Sequence, residues 1–412
     1  MQTRLAERFR GTALGEEADA ILRACVHCGF CLATCPTYQL LGDEDDSPRG
    51  RIYLLKQLFE GEAVGERTRL HLDRCLLCRS CETTCPSGVR YHRLLDLGRE
   101  VLERERPRPL RQRALRALLR AVLPHRTRFA AALALGRALR PLLPGVLREK
   151  VPPAAAAAPW PRVQAARRVL LLEGCVQPVL RPAVDAALAR VLADLGVEVV
   201  RAAQAGCCGA ISHHLGAAEA ARDLARRNID AWWPHLEAGA EAVVASASGC
   251  GLMLREYGEL LGADPAYAER ARRLAERVRD PAELVAALDW RRLGRPGAGR
   301  RVAFHVPCTL RHGLRAAEQA EALLRGLGFE LLPVADAHLC CGSAGTYSLL
   351  EPTLAGALRA RRLAALTAGG PQEILTANIG CLAHLAAASP VSVRHWLEAV
   401  AEGLEGAGAA RA

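Results

Sequence analysis

Lysine is almost missing from this 412-residue chain: it occurs only as Lys56 and Lys150, and arginine fills the other basic positions. Aromatic residues make up 4%, too few to interleave with the arginines as a base-stacking surface requires, so the net charge of +11 does not point to nucleic acid. The excess is also local. Residues 99 to 150 hold fourteen Arg or Lys against four Asp or Glu, and the rest of the chain is nearly balanced. No clean hydrophobic run is present either. The nearest, FAAALALGRALRPLLPGVL at 129 to 147, is broken by Arg137, Arg140, Pro141 and Pro144, which argues against a lipid-spanning helix. The opening MQTRLAERFRGTALGEEADA is charged and has no apolar core of a signal peptide. No strand pattern leads into GxGxxG, so a flavin fingerprint is missing. Together these absences predict a soluble or peripheral protein of two or three globular domains in a reducing compartment.

Cysteine, by contrast, occurs sixteen times. Eight lie in CVHCGFCLATCP, residues 25 to 36, and CLLCRSCETTCP, residues 75 to 86. Three cysteines at two-residue intervals let one loop wrap three corners of a cubane, and the fourth corner must come from elsewhere. Cys25, Cys28, Cys31 and Cys35 before Pro36, and Cys75, Cys78, Cys81 and Cys85 before Pro86, match the bacterial ferredoxin pattern, in which each fourth cysteine serves the other cluster. The implied sets are Cys25, Cys28, Cys31 with Cys85, and Cys75, Cys78, Cys81 with Cys35, each holding one 4Fe-4S cluster. Two clusters with crossed ligands lie close together and form an electron wire. Zinc ribbons also use CxxC pairs, yet need neither the third cysteine nor the proline. Between the two runs, DSPRGR leads into a helical pattern around IYLLKQLFEG, and Arg49 and Arg51 are candidates to contact a cluster edge, an acidic partner or solvent.

Beyond the Pro/Ala linker VPPAAAAAPWP at 151 to 161 the chain changes character. RVLLLEGC, a helix over 182 to 195, VEVVRAAQAGCCGA, a helix reaching about 237 and AVVASASGC alternate strand and helix. The second copy runs RVAFHVPC, a helix over 314 to 327, FELLPVADAHLCCGSAG, a helix over 353 to 367 and EILTANIGC. The fold class is α/β: a helical ferredoxin-like domain, then two Rossmann-like repeats with parallel strands in a pseudo-symmetric carboxyl-terminal domain. The expected boundaries are 1–106 for the two-cluster domain, 107–161 for the basic segment and linker, and 162–290 and 291–412 for the repeats. Cys175, Cys250, Cys308 and Cys381 are expected to end strands, with Cys207, Cys208, Cys340 and Cys341 in loops after strands. Ligands collect at that edge of a parallel sheet, so these eight cysteines are candidate ligands of further clusters. Buried apolar cysteine is the alternative for any single member.

GCCG and LCCGSAG, with Cys175 and Cys308, resemble the cysteine-rich CCG domains of heterodisulfide reductase and several respiratory dehydrogenases. Joined to the two ferredoxin runs, and with DSPRGRIYLLKQ, ASGCG, CCGSAGTYSLL and TANIGCLAHL, the chain resembles the iron-sulfur subunits of glycolate oxidases over nearly its whole length, least in 99 to 160. The resemblance implies an oxidoreductase subunit without catalytic residues of its own and inactive alone. FAD sits on partner subunits that oxidise glycolate to glyoxylate, and this chain passes electrons towards a membrane quinone from the cytoplasmic, inner face of the cell membrane. An iron-sulfur subunit for glycerol 3-phosphate or lactate, a thiol/disulfide reductase and a zinc interaction module are the competing readings. The heterodisulfide reductase motif closes with CxxC, whereas Met253 and His384 stand at its last position here, a departure that bears on whether either repeat holds that enzyme's noncubane cluster. His384 is a candidate nitrogen ligand, and His213, His214, His305, His312 and His338 flank the cysteines. In the basic segment, Leu115, Leu118, Leu119 and Val122 share a helical face, with Arg113, Arg116 and Arg120 on others, a pattern suited to a membrane surface, a partner or packing at the domain junction.

Overall fold

The computed structural model describes residues 1–149 and 151–409. The chain forms two compact units, one of Met1–Leu115 with His338–Arg362, the other of Arg116–Ala337 with the chain from Leu363 onward.

The first unit is helical. Helix α1 (Ala13–Ala24) starts where the Thr12 hydroxyl accepts the Gly15 N–H at 3.0 Å, and it buries Ala18, Ile21 and Leu22, a three-four spacing that makes one apolar face. Helix α2 (Pro48–Glu60) decodes the DSPRGR stretch. Ser47 Oγ accepts the Gly50 N–H at 2.9 Å, and Pro48 opens the first turn, where its missing N–H costs nothing. Gly50 is required because a Cβ there would meet the Glu44 carbonyl. Gly61, left-handed at φ 86°, ends the helix. Helices α3 (Glu66–Asp73) and α4 (Tyr91–Glu105) complete the bundle, and Gly98 of α4 leaves room for the Leu55 side chain of α2. Phe9, Ile21, Leu22, Leu55, Leu58, Phe59, Leu72, Leu94 and Leu95 form one core, and Cys25 and Cys81 belong to it. The two cysteine loops therefore leave from the ends of α1 and α3 and are anchored by a packed core. Helix α5 (Leu110–Val122) buries none of its residues, and α6 (Arg126–Ala138) buries Leu133 alone.

The second unit contains two four-stranded parallel sheets, β2-β1-β3-β4 and β6-β5-β7-β8. The strands are β1 (Arg167–Leu171), β2 (Val197–Arg201), β3 (Ala242–Val244), β4 (Val278–Arg279), β5 (Arg301–His305), β6 (Glu330–Leu331), β7 (Glu373–Thr376) and β8 (Ser392–His395). In the first sheet Val169 of β1 is level with Val199 of β2 and Ala242 of β3, and in the second Val302 of β5 is level with Leu331 of β6 and Glu373 of β7. The helices are α7 (Ala183–Asp194), α8 (Ala218–Glu237), α9 (Ser248–Arg255), α10 (Ala317–Gly326), α11 (Pro352–Thr367, assigned to the first unit up to Arg362), α12 (Ile379–Ala386) and α13 (Trp396–Ala409). Alternate residues of β1 enter different cores: Val169 and Leu171 join one that draws on both repeats, while Leu170, with Leu172 just past the strand, joins another with Trp232, Val243 and Tyr257. Both faces are thus covered, as parallel sheets require. The strand-helix alternation expected from the sequence is present. The edge strands β4 and β8 are additional, and β4 has only two residues, too short to show a period. The helix expected from residue 314 begins at Ala317, because Thr309–Gly313 first makes a wide π-type turn.

A buried polar node ties the repeats together. Asp185 of α7 accepts hydrogen bonds from Gln177 Nε2 at 2.7 Å and from the Ser246 hydroxyl, and His395 Nε2 donates to the Ser246 carbonyl at 2.9 Å. The same His395 accepts the Leu397 N–H on Nδ1 at 3.3 Å, which fixes a neutral ring. Burial pushes the Asp185 carboxyl up to about 7 and the His395 imidazole down to about 4. Native Asp185 thus holds a proton that the unfolded chain releases near 4, so its contribution is complete below that value and is lost as pH rises through 7. His395 acts oppositely, and its contribution is lost as pH falls from 6.5 to 4. Asp185→Asn is therefore expected to gain on the wild type by up to about 1.4 kcal/mol per pH unit between pH 4 and 7. Urea midpoints of both proteins across that range check it; a pH-independent difference would refute the protonated carboxyl.

Candidate metal centres

The two ferredoxin-type loops take the same backbone path. His27 and Gly29 in the first, and Leu77 and Arg79 in the second, are left-handed, with φ of 56°, 83°, 53° and 61°. Each pair occupies the second and fourth positions after the leading cysteine. Three of the four residues are not glycine, so each pays roughly 1–2 kcal/mol for that conformation. Such strain persists only where something else holds the loop, here the packed core behind it.

Two cavities show where the sulfurs converge. One, of about 440 Å³, is lined by Cys25, Cys28, Cys31, Cys81 and Cys85. The other, of about 370 Å³, is lined by Cys35, Cys75, Cys78 and Cys81. Each cavity brings three cysteines of one loop to the fourth of the other, and Cys81 lines both. Burial pushes the Cys31 thiol up to about 11, lifts Cys25, and raises Cys81 well above an ordinary thiol. Buried thiols that resist ionisation without a compensating cation suit a metal centre, which deprotonates its ligands outright. None of the sixteen cysteines forms a disulfide.

In the first repeat, four further thiols gather at the carboxyl edge of the sheet. Cys175 follows β1, Cys207 and Cys208 lie in the loop after β2, and Cys250 sits in the first turn of α9. Cys175 Sγ lies 3.4 Å from Cys207 Sγ, and Cys208 hydrogen-bonds with both Cys207 and Cys250. Hydrogen bonds from Cys175 and Cys208, together with the Gly209 N–H and the Arg227 charge, hold the Cys207 thiol well below its usual range. In the second repeat Cys308 follows β5, Cys340 and Cys341 lie in the loop after β6, and Cys381 sits in the first turn of α12. Cys175, Cys250, Cys308 and Cys381 thus stand past the strand ends expected for them: the chain stops pairing some residues earlier because the next helix or turn has to begin there.

Both CCG turns share their local geometry. Gly209 and Gly342 have φ of 95° and 88°, and each N–H points at the sulfur two residues back, Cys207 at 3.5 Å and Cys340 at 3.4 Å. A Cβ on either glycine would press on the following helix, against the Ala221 or Ala355 carbonyl. Met253 is packed in the core with Cys208 and Leu254, and His384 is buried in α12. His305 is buried at the end of β5 and His312 in the turn after it, while His213 and His214 end a short helix at Ala210–His214. His338 opens the segment that belongs to the first unit.

Two residues that hold the first CCG turn escaped the sequence reading. Asn228 Nδ2 donates to the Cys207 carbonyl and the Tyr257 hydroxyl, both at 2.9 Å, and its Oδ1 accepts the Gly206 N–H at 2.8 Å. Tyr257 donates in turn to the Cys208 carbonyl at 2.9 Å. The available signal was a polar residue inside the apolar stripe Ala221, Ala225, Asn228, Ile229 and Trp232 of α8, all buried.

Residues 21–89 match the 4Fe-4S dicluster domain, and residues 169–255 and 302–386 match the cysteine-rich domain. The chain is 54% identical to the glycolate oxidase iron-sulfur subunit of Escherichia coli K12 over 98% of its own length and 100% of that protein. It is 31% identical to the probable glycolate oxidase iron-sulfur subunit of Bacillus subtilis 168 over 87% of each. Against lactate utilization protein A of an Exiguobacterium strain the identity is 26%, over 58% of this chain and 98% of the other. With eight cysteines in two ferredoxin-type loops, a doubled CCG turn and full-length identity of this degree, the chain belongs to the family of glycolate oxidase iron-sulfur subunits.

Proposed function

We propose that this chain is the electron-transfer subunit of a flavin-dependent glycolate dehydrogenase. Oxidation of glycolate to glyoxylate releases two electrons and two protons at FAD on partner subunits, and the electrons leave singly through this chain to a membrane quinone. One 4Fe-4S cluster is held by Cys25, Cys28, Cys31 and Cys85, the other by Cys75, Cys78, Cys81 and Cys35. The CCG cysteines Cys175, Cys207, Cys208 and Cys250, and Cys308, Cys340, Cys341 and Cys381, hold further iron-sulfur centres. The observation that carries the reading is the pair of cavities in which three cysteines of one loop meet the fourth cysteine of the other, with Cys81 lining both. Glycolate is favoured over lactate because the full-length relative at 54% identity is a glycolate oxidase subunit, whereas the lactate relative spans 58% of the chain.

The test is iron and acid-labile sulfide per chain on anaerobically purified protein. More than about eight irons, falling in Cys207→Ser or Cys340→Ser, is the expected result. About eight irons, unchanged by either substitution, would make the CCG repeats scaffold.

No helix among the described residues is long and apolar enough to cross a membrane. Attachment to the inner face of the membrane is assigned to α5, whose Leu110, Leu115 and Leu118 are exposed beside Arg111 and Arg113. Leucine for the acyl boundary and arginine for anionic headgroups are the two ingredients of surface binding. Leu115→Ser with Leu118→Ser is expected to lower co-sedimentation of the holocomplex with anionic vesicles several-fold, and unchanged binding would remove α5 from that role.

A further inference from the structure

The two ferredoxin-type cavities are alike in their cysteines and unlike in their charges. Arg51 is 1% exposed and lines the cavity of Cys35, Cys75, Cys78 and Cys81. Its Nε donates to the His71 carbonyl at 2.6 Å, Nη1 donates to Thr37 Oγ1 at 3.1 Å and lies 4.0 Å from Cys35 Sγ, and Nη2 reaches Asp46 Oδ1 at 3.1 Å. Asp46 is fully buried but shared: Arg74 Nη1 takes its other oxygen at 2.8 Å. Arg51, Arg74 and the His71 ring share Asp46, the Asp43 carboxylate lies within 4.8 Å of that group, and the charge that reaches Cys35 Sγ, at 4.0 Å, is the Arg51 guanidinium, which arginine cannot shed. Thr37 is also buried and lies 3.3 Å from Cys35 Sγ through Oγ1.

At the other cavity the counterpart is Arg49. Its Nε is held by Glu44 at 2.8 Å, with side chains 33% and 45% exposed. The pair is balanced and open to water, which screens it, whereas the Arg51 group acts in a low-dielectric interior. A cluster gains one negative charge on reduction, so an unscreened cation beside its sulfur stabilises the reduced form and raises the reduction potential.

We propose that Arg51 sets the cluster at Cys35, Cys75, Cys78 and Cys81 to a higher reduction potential than its twin, so that an electron entering the pair comes to rest there. The proposal rests on the reading that each cavity holds one 4Fe-4S cluster. Arg51 acts on potential through Cys35 and is a positioning residue for the electron.

The test is an EPR-monitored redox titration of the holocomplex, with iron counted on the same samples. Arg51→Met with Asp46→Asn removes the buried pair together and leaves no orphaned carboxylate. Arg51→Lys keeps the charge. Arg51→Gln removes the charge and leaves Asp46 to Arg74. The expected result is that the higher of the two midpoints falls in the double variant, the lower stays in place, and Arg51→Lys retains most of the wild-type separation. A higher midpoint that stays put with full iron overturns the proposal and leaves the cluster reading intact. If the double variant loses iron, Arg51→Gln decides: a fall confined to the same midpoint supports the assignment, and no shift refutes it. Cluster failure is separate, seen as fewer than eight irons in the wild type.

Discussion

Cys35→Ser is expected to remove about four irons per chain, and to do so at the cavity of the other loop. Cys35 closes CVHCGFCLATC in sequence, yet it lines the cavity with Cys75, Cys78 and Cys81. Cys85 closes the second run and lines the cavity with Cys25, Cys28 and Cys31. The crossing can be read from double variants. Cys35→Ser with Cys78→Ser should lose the same four irons as either alone, because both act on one cluster. Cys35→Ser with Cys28→Ser should lose about eight, because they act on two. The reverse pattern would assign each loop its own four ligands. Quinone-linked glycolate oxidation by the holocomplex should fail in every one of these variants, while reduction of the flavin by glycolate should persist.

The second large effect is expected at Asn228→Leu, which keeps side-chain size and removes every polar atom. The substitution leaves the Gly206 N–H and the Cys207 carbonyl without this partner and removes the donor to the Tyr257 hydroxyl, around a side chain that is itself fully buried. One unsatisfied buried group costs about 1–3 kcal/mol, so several kilocalories per mole are at stake, shared between lost stability and a shifted CCG turn. Thermal unfolding gives the first part. Iron above that of the ferredoxin loops gives the second, and it should fall with Asn228→Leu as it does with Cys207→Ser. A variant with wild-type stability would show that water replaces the amide, and the clamp would be discarded.

Much of the site was legible because its chemistry is local in the chain. The two-residue step between cysteines, the proline after each fourth one and the 32-residue interval from Cys175 to Cys207, repeated from Cys308 to Cys340, are properties of a linear pattern. Strand-helix alternation is equally local, which is why the helices ending at Asp194 and Glu237 lie close to where the apolar periodicity put them. The edge strands β4 and β8 were not visible, since two and four residues are too few to show a clear period and each forms where a neighbour offers hydrogen-bond partners.

By itself, the sequence determined that this is an α/β chain with two ferredoxin-type loops and two CCG repeats, because residue spacing sets which thiols one loop can present. Only the tertiary structure decided that Arg51 is buried against Cys35 while Arg49, two residues away, sits in solvent with Glu44. It also decided that Asn228 clamps a turn more than twenty residues before it. Helical neighbours share composition and differ only in the direction they face, and that direction is set by the core the helix packs on. Burial then turns one of two similar arginines into a charge acting in a low-dielectric interior and leaves the other screened by water.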